Sequence, residues 1–213
     1  MAKEIIYVGD PLCGWCYGFS DIFEKIIEKY QNTAKISIVM GGLKVEDSIH
    51  INKKVKKMIA KNWAAVMDKT GQKFSIDQVD KLPDGKYNSE PPCRAVVTMR
   101  HLKPGSELPF YKALHKSMYI QTLNNTDPLL FCELAQKFGV SGDVFNRHFN
   151  SKEMKARTQI DFEFSRASGV LGFPAFVLKD NEETFVLNQG YKPYAMIEKG
   201  IEGWLKGERS IIF

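Results

Sequence analysis

The chain sets Cys13-Gly14-Trp15-Cys16 between two segments of different periodicity, and no other feature narrows its fold as much. Ahead of the pair, Glu4 to Gly9 is a β-branched and aromatic run closed by the turn-forming Asp10-Pro11, the pattern of a strand. Behind it, Trp15, Phe19, Ile22, Phe23, Ile26, Ile27 and Tyr30 recur at three- and four-residue steps, the apolar stripe of a helix packed on a core. The thiols therefore fall in the first turn of a helix, where unpaired N–H groups and the positive end of the macrodipole favour a thiolate. At the start of that turn Cys13 can face solvent and attack a disulfide, while Cys16 points back toward the helix body. This makes Cys13 the expected nucleophile and Cys16 the expected resolving thiol of disulfide exchange. The competing reading of a CxxC is half of a zinc site, which wants four Cys or His ligands. No second CxxC exists, Cys93 and Cys132 are isolated, and His50, His101, His115 and His148 lack metal-ligand spacing, so no metal is expected.

A chain of 213 residues with 44% hydrophobic content can bury a core as one domain, or as one domain carrying an insertion, without disulfide staples. The N-terminus lacks the charged region, apolar run and cleavage site of a signal peptide, and no apolar stretch reaches the length of a membrane span. The expected address is the cytoplasm, with no membrane association. Thirty basic against 25 acidic residues give a net charge of +5, too small and dispersed to imply nucleic acid. The densest basic run, Lys53-Lys54-Val55-Lys56-Lys57, precedes Met58, Ile59, Trp63 and Val66 at helical spacing and reads as a solvated helix face.

Farther along, Lys35 to Met40 is a second strand ended by Gly41-Gly42, completing a strand–helix–strand unit. From about Ser48 to Asn150 the pattern is helical, with Thr126-Asp127-Pro128 a cap followed by proline at the first helical position. A helix from Ser151 to about Ser168 ends at Gly169. Two short strands follow, Phe173 to Leu178 and Thr184 to Leu187, joined through Asp180-Asn181-Glu182, and Pro193 to Lys206 closes the chain as a helix. The expected class is α/β, one open sheet interrupted by a helical insertion, with segments 1–47 and 151–213 forming one domain and 48–150 the inserted one.

Three motifs then carry a family likeness: Asp10-Pro11-Leu12-Cys13-Gly14-Trp15-Cys16-Tyr17-Gly18, Asn88-Ser89-Glu90-Pro91-Pro92-Cys93-Arg94-Ala95, and Gly169-Val170-Leu171-Gly172-Phe173-Pro174-Ala175. With them the chain resembles, over its whole length, the DsbA-like branch of the thioredoxin superfamily, and within it FrnE-like, leaderless members described as disulfide isomerases. The resemblance implies a thioredoxin-like fold with a helical domain inserted after the second strand. It implies a cis Pro174 against the CxxC, with Phe173 offering backbone hydrogen bonds to a substrate peptide, and it sets Gly14 and Trp15 at the same substrate-binding place. Trp15 has two readings, a grip on substrate or packing on the helical cap.

The chain departs from the family in two places. Tyr7 stands six residues before Cys13, where many relatives carry a buried acid, and the Gly14-Trp15 dipeptide offers no histidine to stabilise a Cys13 thiolate. Asp10 is the nearest acid, and an Asp-Pro turn reads more simply as a solvated cap than as a catalytic base. Asn88, Ser89 and Arg94 lie where related glutathione transferases and isomerases carry residues near their cleft, and a helix cap with a surface arginine is the simpler account.

The expected activity is reduction or isomerisation of disulfides in proteins or small molecules, with no cofactor beyond the dithiol and with glutathione as a candidate reductant. A glutathione-dependent transferase or isomerase on the same fold and a non-catalytic zinc-binding module are the alternatives.

Overall fold

In the computed structural model, which describes residues 3–45, 49–181 and 183–208, the run before the cysteine pair becomes an inner strand. β1 (Glu4–Gly9) pairs in parallel with β2 (Lys35–Met40) and antiparallel with β5 (Ala175–Asp180). β5 pairs antiparallel with β6 (Glu183–Val186), so the sheet order is β2-β1-β5-β6. β5 starts two residues later than its apolar run suggests, because Phe173 and Pro174 belong to the preceding loop.

Alternation along the strands separates two faces. Ile5, Tyr7, Phe176 and Leu178 share one core with Phe19, Phe23, Ile197 and Ile201. Ile6, Val8, Ala175 and Val177 turn the other way, against Val170 and Phe164. Cover on both faces explains why β1 is apolar at nearly every position.

The helix after the cysteines is broken where the sequence pattern is continuous, into α1 (Gly14–Gly18) and α2 (Ser20–Tyr30), with the buried Phe19 between them. α2 covers the sheet, whereas α1 lies on α3 (Lys53–Thr70). The approach is so close that a Cβ on Gly18 would sit 2.5 Å from Val66 Cγ1 and 3.0 Å from Thr70 Cγ2, so only glycine fits. α3 is capped by the Asn52 side chain, which accepts the N–H groups of Lys54 and Val55 at 3.0 and 3.1 Å.

Between β2 and the return to the sheet come a short ribbon of β3 (Ile49–Ile51) and β4 (Gly85–Tyr87), then α4 (Glu90–Leu102), α5 (Glu107–Tyr119), α6 (Pro128–Lys137) and α7 (Gly142–Phe149). α8 (Lys152–Ala167) and α9 (Tyr194–Leu205) complete the chain. Asp127 caps α6 as its motif suggests, accepting the Leu129 N–H at 2.9 Å. The ribbon strands are three residues each, too short to show a period. This is the expected thioredoxin-like sheet with a helical insertion after its second strand. The domain boundary expected at 47/48 falls among residues 46–48, outside the described ones, as does Glu182 of the hairpin turn.

Two contacts hold the insertion and α8 to β2. Asp161 of α8 is buried and accepts the Met40 N–H at 2.9 Å through one oxygen and the Arg100 guanidinium at 2.7 Å through the other. Arg100 of α4 in turn donates to the Ile38 carbonyl at 2.9 Å. Past the end of β2, Gly41 lies under the Phe173 ring, where an added Cβ would come within 2.1 Å of ring carbon Cε1.

Asp161→Ala leaves a buried N–H and part of a guanidinium without partners, so urea unfolding should show a loss of about 2–3 kcal/mol. A loss under about 0.5 kcal/mol would mean that water replaces the carboxylate fully. Gly41→Ala forces Phe173 from its seat and should cost about 1–3 kcal/mol by the same measurement, as overpacking does.

Candidate functional site

The site is built on the loop between β1 and α1. Asp10 turns the chain, with the Cys13 N–H returning to the Asp10 carbonyl at 3.0 Å. The next carbonyls have unusual partners, since three tyrosines of the insertion donate to successive residues. Tyr111 reaches Asp10 O at 3.3 Å, Tyr119 reaches Pro11 O at 3.4 Å, and Tyr87 reaches Leu12 O at 2.9 Å. Irregular backbone buried at the top of a sheet needs such partners, and here side chains supply them. Tyr111, His115 and Tyr119 fall at four-residue steps on α5, one stripe facing the loop. His115 packs on Tyr111 at 4.2 Å between ring centroids, and burial pushes its imidazole down to about 3, so it is neutral.

Cys13 and Cys16 are both free thiols and both buried, Cys13 retaining 6% exposure and Cys16 1%. Cys13 is thus less open to solvent than its place at a helix start suggests, yet it remains the more reachable of the two. Its thiol contacts Cys16 and donates to the Phe173 carbonyl at 3.9 Å. The hydrogen bond with Cys16, followed by burial, pushes the Cys13 thiol well above the ordinary range. Tyr7, six residues before Cys13, is buried with its hydroxyl beside Cys16 and Tyr111, and burial raises its phenol.

The Phe173–Pro174 peptide is cis. Two side chains from the segment after β6 fix the loop around it. Asn188 donates to Pro174 O at 3.1 Å and accepts the Phe176 N–H at 2.9 Å. Gln189 accepts the N–H groups of Leu171 and Gly172 at 2.9 and 3.2 Å and donates to Gly169 O at 2.9 Å. Beside Phe173 opens a cleft of about 460 Å³ lined by Trp15, Ala65, Lys69, Phe173, Gly190 and Tyr191. Trp15 is half-buried on its wall, 5.9 Å from the Tyr191 ring, while Gly14 is buried on the side of Asn62 and Trp63, where an added Cβ would make only ordinary contact.

The candidate residues Cys13, Cys16, Phe173 and Pro174 therefore meet at one place, with Trp15 on the adjoining cleft. Two simple readings are replaced. Asp10 is not solvated but fully buried, and Arg94 is not a surface residue. Arg94 is 8% exposed, pairs with Glu90 at 2.9 Å, donates to Phe149 O at 2.9 Å and lies over the Phe149 ring, which ties α4 to α7. The helix-cap reading holds for Asn88, which accepts the N–H of Glu90 at the start of α4 at 2.9 Å, while Ser89 instead accepts the Lys44 N–H at 2.8 Å. Cys93 is a buried thiol donating to Asp10 Oδ2 at 3.4 Å, and Cys132 lies apart on α6. Sequence reasoning missed Tyr87, Tyr111, Tyr119, Asn188 and Gln189. Only the four-residue spacing on α5 was visible, and it does not say what the stripe faces.

Known proteins share this fold. A candidate protein disulfide isomerase from Nitrosomonas europaea is 27% identical, with a TM-score of 0.88 over 97% of this chain and 99% of that one. The cytosolic disulfide reductase DsbM from Pseudomonas aeruginosa is 21% identical, with a TM-score of 0.73 over 96% of each chain, and its structure with glutathione gives 0.72. The ClpXP adapter protein SpxH from Halalkalibacterium halodurans is 23% identical over 95% of this chain and 67% of its own length. A thioredoxin family model matches residues 6–199, and on that match the chain belongs to the thioredoxin family.

Proposed function

We propose that this DsbA-like protein reduces or isomerises disulfides through Cys13 and Cys16. The observation that carries the reading is the meeting of the two thiols with the Phe173 carbonyl, Cys13 donating to it at 3.9 Å, beside a cleft walled by aromatic rings. In this reading the Cys13 thiolate attacks one sulfur of a substrate disulfide, forming a mixed disulfide and releasing the other sulfur as a thiolate. Cys16 then attacks Cys13 Sγ, the substrate leaves as its second thiolate, and the pair is left oxidised by two electrons. An external thiol, with glutathione the favoured candidate, returns the electrons and re-forms the dithiol. No cofactor beyond the pair is needed.

The cleft beside Phe173 suits an extended peptide or a small disulfide, with Trp15 and Phe173 as apolar contacts. The likeness to the cytosolic reductase DsbM supports a reducing role and a cytoplasmic address, and no helix among the described residues is long and apolar enough to cross a membrane. A reducing compartment keeps such a pair in its dithiol form.

Cys13→Ser should abolish turnover of a model disulfide, and Cys16→Ser should accumulate a mixed disulfide visible by mass. Retained turnover in the Cys13→Ser variant would overturn the assignment of the nucleophile. Glutathione conjugation surviving in a variant lacking both thiols would favour the transferase reading instead.

The raised Cys13 thiol sets a pH dependence. A group that must lose its proton to react, held above its ordinary value, gains reactivity steadily as pH rises. Alkylation of Cys13 should therefore accelerate from about pH 6 to about pH 10. A plateau already reached below neutral would show a stabilised thiolate and overturn this expectation.

A further inference from the structure

Asp10 is fully buried, and both of its oxygens are taken. Oδ1 accepts the Leu12 N–H at 2.9 Å, within the loop itself. Oδ2 accepts the Leu43 N–H at 2.7 Å, from the segment after β2, and the Cys93 thiol at 3.4 Å, from the first turn of α4. The Ser89 hydroxyl adds to their pull. One acid thus joins the redox loop, the end of β2 and the insertion.

An N–H group faces each oxygen, so a proton on either would meet a donor head-on, and the cradle fits the ionised carboxylate. Burial works against that charge and raises the carboxyl, while the Leu43 and Leu12 N–H groups pull it back. The partners that act on it most are neutral dipoles, which hold a negative charge without cancelling it. The titratable groups around the loop are Tyr7 from β1, Tyr87 from β4, Cys93 from α4, and Tyr111, His115 and Tyr119 from α5. None of them carries a positive charge at neutral pH. The charge of Asp10 therefore acts on Cys13, three residues on, without a counter-charge among these groups, adding to the larger influences of Cys16 and burial that raise that thiol.

Resting on the disulfide-exchange reading of Cys13 and Cys16, we infer that Asp10 is a positioning residue of that reaction: its carboxylate locks the redox loop to Leu43 and α4, and its charge opposes a thiolate at Cys13. A strongly oxidising pair owes its potential to a stabilised thiolate in the reduced form. Asp10 acts in the opposite sense, so wherever Cys13 ionises it tilts this pair toward giving electrons away.

The test compares the parent with Asp10→Asn, which removes the charge at nearly constant volume, and Asp10→Glu, which keeps it. Two quantities are read: the pH profile of Cys13 alkylation and the midpoint potential in a glutathione buffer series. Asp10→Asn should move the alkylation midpoint down by about one pH unit, a tenfold change in ionisation. In buffers above the Cys13 midpoint it should also move the potential in the oxidising direction, by about 30 mV for a tenfold change in ionisation, and well below that midpoint the two potentials should converge. Asp10→Glu should remain near the parent in both. A folded Asn variant with an unchanged profile and potential overturns the inference, as does a Glu variant that moves as far as the Asn one.

A third measurement needs no substitution. In the intact protein the carboxyl carbon signal of Asp10 should show a second step at the pH where Cys13 ionises, present in the reduced form and absent in the oxidised. A signal that is the same in both forms overturns the inference even if the Asn variant does not fold. A parent pair that never cycles in the glutathione buffers overturns the proposed function instead, while the alkylation profile and the carboxyl signal still decide on Asp10.

Discussion

The antiparallel pairing of β1 with β5 is the constraint on which the rest of this molecule depends. Its register sets Val8 opposite Ala175, so the loops leaving the two strands at that end must meet. One loop carries Cys13 and the other Phe173, residues 160 apart in the chain and joined by a thiol-to-carbonyl contact. Because strand register moves in steps that exchange the two faces, a slip of β1 by one residue would carry Ile5 and Tyr7 out of the core they share with Phe176 and into the smaller one on the other face. The burial that fixes the sheet is therefore the same burial that fixes the site.

The insertion contributes to that site through backbone more than through chemistry. The hydroxyls of Tyr87, Tyr111 and Tyr119 are spent on the carbonyls of Leu12, Asp10 and Pro11, and they hold the loop in a shape its own short turn would not keep. On the opposite wall Asn188 and Gln189 do the same for the residues around Pro174. The two reacting loops are thus each held by side chains from a different part of the chain, and the thiols stand between two rigid supports.

How far this was legible in the sequence follows from the range of each interaction. β1 and β2 were readable to the residue because alternation and β-branching are local, and the Asp127 cap because a cap acts within one turn. The cysteine pair and the Gly-x-x-Gly-x-Pro stretch were legible as motifs, and the structure brings them together. What escaped was long-range. The three tyrosines bond to carbonyls 75 to 108 residues away, and nothing in their neighbourhood marks them as different from core aromatics. Asp10 read as a solvated turn residue because an Asp-Pro pair looks the same whether water or Leu43 and Cys93 take its oxygens. The break at Phe19 escaped for a related reason: apolar spacing runs on unchanged while α1 and α2 pack on different partners.

The clasp of Arg100 and Asp161 on β2 has a consequence for assembly. An outer strand normally offers unpaired carbonyl and N–H groups to any extended chain that drifts against it. Here the Ile38 carbonyl and the Met40 N–H on the outward side of β2 are already occupied by side chains of α4 and α8. Augmentation of the sheet by a foreign strand is blocked at these positions, and at the opposite margin it is β6, a strand of four residues, that borders solvent.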